Sequence, residues 1–128
     1  MENYKLKGTL ISGLGEGKYF MSKDIYRKGF EEALNYTPWP GTFNIKIDSK
    51  INIKKTPILI KGFGEGKKKF GNIKCYPIKI IGNKNIKAHL VMPEINKHEK
   101  TIIEIISPLY LRKALNIRDN DNITIELI

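Results

Sequence analysis

The feature of this 128-residue chain that most limits its fold is a series of short, β-prone segments separated by turn residues. Each segment is rich in Ile, Val, Phe or Tyr, and Gly, Pro, Asn or Asp punctuates the chain between them. The segments are KLKGTLI, TFNIKI, PILIKGF, IKCYPIKII, KAHLVM, TIIEII and NITIELI. Such spacing is typical of barrels and sandwiches, and the length suits one buried core. The sequence therefore predicts a single, mainly β domain over residues 1–128.

Two stretches break the β pattern and predict short helices. In SKDIYRKGFEEALN, Ser22 is suited to cap a helix. Its apolar positions recur at helical spacing, at Ile25, Tyr26, Phe30, Ala33 and Leu34. In SPLYLRKALN, Ser107 stands at the cap position and Pro108 at the first helical position, with Leu111 and Leu115 one turn apart.

Charge and cysteine content indicate which classes of partner and which cellular compartment to expect. The formal net charge of +10 favours anionic partners such as nucleotides, nucleic acid or anionic lipid. The lysines are spread along the whole chain, however, and a solvated lysine surface explains them equally well. Cys75 is the only cysteine, and no apolar run reaches the length of a signal peptide or membrane span. We therefore expect a cytoplasmic protein without a membrane partner, in which His89 and His98 are structural or surface residues.

The chain carries one glycine phrase nearly twice, as GLGEGKYF from Gly13 to Phe20 and as GFGEGKKKF from Gly62 to Phe70. Closely spaced glycines let backbone N–H groups surround a phosphate, but they also form ordinary β-turns. Neither phrase matches the P-loop or the dinucleotide fingerprint. The second lies between two strand segments and fits a hairpin connection, whereas the first precedes the first helix. The first is therefore the better candidate for a phosphate cradle.

Two further features are candidates for site chemistry. Thr42 and Asn44 are two apart on a predicted strand, so their side-chain oxygens project from one face and would suit Mg²⁺ beside a nucleotide. An ordinary amphipathic strand explains the same pair. Glu104 stands within the apolar run IIEII, where an unpaired charge would be costly to bury. It is either a functional carboxylate, with a pKa raised by burial, or a solvent-facing residue of an edge strand.

In their order along the chain, SGLGEGKYF, PGTFNIKI and IIEIISPLYLRKALNIRDNDNITI resemble the archaeal CTP-dependent riboflavin kinases over essentially the whole length. PGTFN is also similar to the Pro-Thr-x-Asn motif with which bacterial and eukaryotic riboflavin kinases hold magnesium. The resemblance implies a small six-stranded cradle-loop β-barrel with two short helices. It also implies conversion of riboflavin to FMN, with CTP as phosphate donor and Mg²⁺ as cofactor. We expect a monomer with these small-molecule substrates and no nucleic-acid partner.

The same resemblance assigns roles to individual residues. The nucleotide would be bound by the first glycine phrase and the second helix, at Gly13, Leu14, Gly15, Glu16, Gly17, Lys18, Leu109, Tyr110, Leu111 and Arg112. Thr42 and Asn44 would ligate Mg²⁺. Glu104 would contact the flavin near its ribityl end and orient or deprotonate the 5′-hydroxyl. Asn96 stands where relatives carry a hydroxyl residue that contacts the flavin, and Lys18 where arginine is common.

Two other functions compete with this interpretation. LRKALNIRDNDNITIEL also resembles the tail of the AbrB-type swapped-hairpin transcription regulators, and the net charge would suit a dimeric DNA-binding protein. That likeness covers only the last helix and strand. A flavin or nucleotide carrier without catalysis would keep the pocket but would not require both magnesium ligands.

Overall fold

The computed structural model describes residues 4–12, 24–40, 43–48, 53–65, 68–93 and 101–128. These residues form nine strands and two helices. In chain order the elements are β1 (Tyr4–Ile11), α1 (Asp24–Leu34), β2 (Phe43–Ile47), β3 (Ile58–Ile60), β4 (Phe63–Glu65), β5 (Lys68–Phe70), β6 (Ile73–Ile80), β7 (Asn83–Pro93), β8 (Ile102–Ile106), α2 (Leu111–Ala114) and β9 (Asn122–Leu127).

Six of the strands close into an antiparallel barrel in the order β6, β7, β8, β2, β1 and β9. The barrel closes because β9 pairs with β1 along one edge and with the second half of β6 along the other. Strand β3 pairs with the first half of β6 and extends the sheet outside the barrel. The mainly β, six-stranded fold is therefore confirmed, and the last strand completes the barrel within its own chain.

Alternation along the strands divides the apolar side chains into two layers. The barrel interior contains Leu10, Phe43, Ile45, Ile78, Leu90, Ile103, Ile105 and Ile125, among others. The outer layer packs α1 residues Tyr26, Phe30 and Leu34 against Ile60, Ile73, Cys75, Val91 and Ile106. Helix α1 thus covers one outer face of the barrel.

Helix α1 reaches this face because Gly29 permits a close approach to β3. A Cβ atom added at Gly29 would lie 2.8 Å from Cγ2 of Ile60. Tyr26, Phe30 and Leu34 occupy the buried side, as the helical spacing predicts, whereas Ala33 is exposed. Ser22 and the side chain of Ile25 lie outside the described part of the chain. Neither helix of the described residues is long and apolar enough to span a membrane.

Two local predictions have different outcomes. The second glycine phrase forms a hairpin, as predicted, because β4 pairs with β5 through Phe63 and Phe70. The second helix begins later than predicted, since its N-cap is Tyr110 and not Ser107. The Ser107 hydroxyl instead donates to the Lys87 carbonyl (2.7 Å) and accepts from the Leu109 amide (3.2 Å). The chain therefore turns first, and α2 begins at Leu111.

Candidate functional site

Asn44 and Glu104 form a buried polar pair across two barrel strands. Antiparallel register places them directly opposite each other on β2 and β8, and each is only 3% exposed. Their chain neighbours Ile45 and Ile103 belong to the barrel interior. Alternation therefore puts the two polar side chains on the outer face. They are hard oxygen donors of the kind that Mg²⁺ prefers, so this donor set fits the predicted metal.

The same register decides between the two interpretations of Glu104. Glu104 pairs with Asn44 on one side and with Val91 of β7 on the other. Strand β8 therefore lies inside the sheet, and the interpretation of Glu104 as a solvent-facing residue of an edge strand is wrong. Val91 belongs to the apolar layer beneath α1, so the carboxylate borders that layer. Asn44 and Lys46 share one face of β2 by alternation, but Lys46 is exposed whereas Asn44 is buried.

A cavity of about 80 Å³ lies at the start of α2. It is lined by all four residues that the family resemblance assigns to the nucleotide at the start of the second helix. The lining residues are Trp39, Pro40, Phe43, Ile105, Ser107, Leu109, Tyr110, Leu111 and Arg112. Phe43 and Ile105 are opposite each other in register, one position along from Asn44 and Glu104. Successive strand residues face opposite sides of the sheet, so the cavity and the polar pair are neighbours along β2 and β8 but lie on opposite faces.

Arg112 connects α2 to the end of β1, where the first glycine phrase begins. Its guanidinium donates to the Ile11 carbonyl oxygen (3.2 Å) and to Asp119 Oδ1 (2.7 Å). The Ser12 hydroxyl donates to Asp119 Oδ2 (2.5 Å). The hydrogen bonds from Ser12 and Arg112 lower the pKa of Asp119. This network holds Arg112 at the residue pair that directly precedes Gly13.

His89 is buried and has a structural contact, as the sequence interpretation expected. Its Nδ1 lies 2.9 Å from the Tyr36 hydroxyl, and its ring is tilted against the Tyr36 ring at 5.6 Å. Burial, together with the nearby charge of Lys87, lowers the pKa of His89 from 6.5 to about 4. Burial also raises the pKa of the Cys75 thiol in the same layer to about 12. Both groups are therefore neutral at physiological pH.

Several residues of the predicted site lie outside the described part of the chain. They are Gly13, Leu14, Gly15, Glu16, Gly17, Lys18, Thr42 and Asn96, as well as His98. Sequence reasoning in turn missed Trp39, which lines the cavity and stacks on Tyr110 with ring centroids 5.1 Å apart. The sequence feature that could have indicated Trp39 is its position in TPWPGT, between two prolines and next to the PGTFN motif.

Comparisons with known proteins show the family of this chain. The family model that matches residues 10–127 is that of the CTP-dependent riboflavin kinases, described as "Domain of unknown function DUF120". A protein from Methanosarcina barkeri named riboflavin kinase is 39% identical over 129 residues, or 96% of this chain and 56% of the relative. The riboflavin kinase of Ignicoccus hospitalis is 40% identical, over 94% of this chain and 69% of the relative. The riboflavin kinase of Pyrobaculum aerophilum is 41% identical, over 97% of this chain and 60% of the relative.

The lengths of these relatives differ from that of this chain. The chain spans between 56% and 69% of the three relatives named here. The match nevertheless includes every predicted site residue, since residues 10–127 contain the first glycine phrase, PGTFN, Glu104 and α2.

Proposed function

Because this chain belongs to the CTP-dependent riboflavin kinase family, we propose that it phosphorylates riboflavin with CTP to give FMN and CDP. The observation that carries the proposal is the family match over residues 10–127, which contain every predicted site residue. The structure adds a buried polar pair, Asn44 and Glu104, on β2 and β8, and a cavity at α2 whose Arg112 donates to the Ile11 carbonyl, two residues before the glycine phrase. These groups supply a carboxylate, an amide oxygen and a guanidinium to the proposed reaction.

The chemistry requires little of the protein beyond positioning and charge neutralisation. In the proposed step a bond forms between the riboflavin 5′-oxygen and the γ-phosphorus of CTP. The bond from that phosphorus to the β–γ bridging oxygen breaks, and CDP leaves. Glu104 orients the 5′-hydroxyl and accepts its proton, a role that its position beside an apolar layer supports.

Donor binding would involve the first glycine phrase and Arg112. The amides of the first glycine phrase and the side chain of Lys18 would contact the triphosphate, as the family resemblance implies. Arg112 adds a guanidinium whose position at Ile11 supports a contact with the same phosphates. Asn44 and Thr42 would hold Mg²⁺, which neutralises charge on the phosphates when it is bound. Asn96 would contact the flavin.

The DNA-binding alternative receives no support from the fold or from the comparisons. Its likeness covers only the last helix and strand, whereas the family model covers residues 10–127. The last strand, β9, also pairs with β1 and β6 of the same chain. The carrier alternative would not require both magnesium ligands and would show no turnover, which an assay decides.

The test is incubation of the purified protein with riboflavin, Mg²⁺ and either CTP, ATP, GTP or UTP, followed by chromatographic quantification of FMN and of the nucleoside diphosphate. We expect FMN and CDP in equal amounts with CTP, and much less FMN with ATP. Folded protein that binds riboflavin but forms no FMN with any donor would favour the carrier over the kinase.

A further inference from the structure

Ser107 is a buried residue at the junction of β8 and α2. It is only 2% exposed, and the backbone engages its hydroxyl on two sides. The hydroxyl donates to the Lys87 carbonyl of β7 (2.7 Å) and accepts from the Leu109 amide (3.2 Å). A serine hydroxyl has a single proton, and here that proton is used in a bond to the backbone. Ser107 therefore acts on the site through the residues that it holds.

The local sequence makes this turn depend on the Ser107 side chain. Pro108 has no backbone N–H and a fixed φ, so the first amide after Ser107 is that of Leu109. This amide bonds back to the Ser107 hydroxyl, which closes a local turn that competes with helix formation. The bond to Lys87 fixes the same hydroxyl to β7. Ser107 thus sets the direction in which the chain leaves the barrel towards α2.

Helix α2 needs anchors outside itself. It has only four residues, Leu111–Ala114, and a helix of this length is not stable on its own. Leu111 is buried in the barrel interior, and Arg112 bonds to Ile11 and Asp119. The Ser107 hydroxyl supplies the anchor on the preceding side, at Leu109. The position of the four residues proposed to bind the nucleotide therefore depends on Ser107.

The backbone of Ser107 holds a second part of the site. Its carbonyl oxygen accepts the Trp39 amide at 2.8 Å, in the segment that leads into the PGTFN motif. The same segment is tied to β7 by Tyr36, whose hydroxyl lies 2.9 Å from Nδ1 of His89. The chain that precedes the proposed magnesium ligand Asn44 and the chain that enters α2 are therefore both fixed at Ser107.

We propose that Ser107 is a positioning residue of the kinase, whose hydroxyl fixes Leu109 and through it the start of α2 in the conformation that binds the nucleotide. This inference rests on the proposed function and concerns the donor only. Glu104, the proposed flavin contact, lies on the opposite face of the sheet from the cavity at α2. Loss of the hydroxyl therefore weakens nucleotide binding and leaves riboflavin binding unchanged.

The test compares Ser107→Ala with Ser107→Thr, which keeps a hydroxyl. Tyr26→Phe is the matched control, because the Tyr26 hydroxyl also donates from a buried side chain to a backbone carbonyl, that of Gly71 (2.6 Å), outside the site. The Kd for CDP is measured by calorimetry without riboflavin, and the KM values for CTP and riboflavin are measured separately. Thermal melting shows that each variant is folded.

We expect Ser107→Ala and Tyr26→Phe to lower Tm by several degrees, since each loses a buried hydrogen bond. Only Ser107→Ala should raise the Kd for CDP and the KM for CTP, by about tenfold, comparable to the loss of one hydrogen bond to the nucleotide. The KM for riboflavin should stay at the wild-type value. Ser107→Thr should recover most of the affinity for CDP.

An unchanged Kd for CDP in folded Ser107→Ala would overturn the inference, and so would an equal rise of this Kd in Tyr26→Phe. If Ser107→Ala does not fold, Ser107→Cys takes its place, because a thiol is a weak donor of similar size. A wild-type Kd in that variant would overturn the inference. If wild type forms no FMN but binds CDP more tightly than Ser107→Ala does, the kinase proposal fails and the positioning role stands.

Discussion

Asn44 and Glu104 stand directly opposite each other on β2 and β8, and both are almost fully buried. They are 60 positions apart in the chain, and the barrel register alone brings them together. Burial of two polar side chains is costly unless they are compensated, so a chain retains them for structure or for function. Substitutions at the two positions separate these two roles.

Replacement of Glu104 by Gln tests the proton acceptor. The substitution keeps the shape of the side chain and removes its ability to accept a proton from riboflavin. We expect kcat to fall by about 100-fold or more, the usual contribution of a general base. Glu126→Gln on β9, outside the site, is the matched control and should retain wild-type turnover. Near-normal turnover in folded Glu104→Gln would show that Glu104 is not the base.

Replacement of Asn44 by Ala tests the magnesium ligand. Loss of one oxygen donor should raise the Mg²⁺ concentration required for half-maximal FMN formation by about tenfold, equivalent to about 1.4 kcal/mol. Lys46→Ala changes an exposed residue on the same strand face and should leave the Mg²⁺ requirement unchanged. An equal Mg²⁺ requirement in wild type and Asn44→Ala would exclude Asn44 as a ligand.

Arg112 is predicted to act on the nucleotide and not on the flavin. In Arg112→Ala the KM for CTP should rise about tenfold or more, as expected for loss of a charge-assisted hydrogen bond, with little change in the KM for riboflavin. Asp119→Asn weakens the contacts that hold Arg112 and should produce a smaller rise. Arg118→Ala, at an exposed arginine of the same segment, is the control. A parallel rise in both KM values would indicate general damage to the site.

Protonation of His89 should make stability depend on pH. Its pKa is about 4 in the folded protein and 6.5 ordinarily, so the unfolded chain binds more protons between these values. Stability therefore rises with pH across this window and is lost as the pH falls from 6.5 towards 4. The expected loss between pH 7 and pH 5 is about 2 kcal/mol, or several degrees in Tm.

Thermal melts of wild type and His89→Gln over this pH range isolate the effect, because the variant has no imidazole at this position. We expect His89→Gln to be less stable at pH 7, since it loses the packed ring against Tyr36, and to show a weaker pH dependence. Parallel curves for the two proteins would contradict the assignment.

Much of the fold follows from the sequence because strand alternation and turn residues act locally. The limits are visible at Asn44 and Lys46, which alternation places on the same face. Alternation identifies the face of a side chain but not what packs over it, and only Lys46 is exposed. For Glu104, the apolar run identified an unusual carboxylate, but only the register shows that it lies between Asn44 and Val91.

The start of α2 shows how a distant contact overrides a local rule. Ser107 followed by Pro108 is a typical helix start. The Ser107 hydroxyl bonds to the Lys87 carbonyl of a neighbouring strand, however, and the helix begins at Leu111. Trp39 was missed for the same reason, because its stack on Tyr110 joins segments 71 positions apart.

The most direct test of the account follows the transfer of label from γ-labelled CTP to riboflavin. Wild type, Glu104→Gln and Lys46→Ala are compared at equal concentrations after thermal melting has shown that each is folded. We predict labelled FMN from wild type and Lys46→Ala, and at most about one hundredth of that initial rate from Glu104→Gln. Unlabelled flavin from folded wild type, or equal labelling by all three proteins, would contradict phosphoryl transfer at this site.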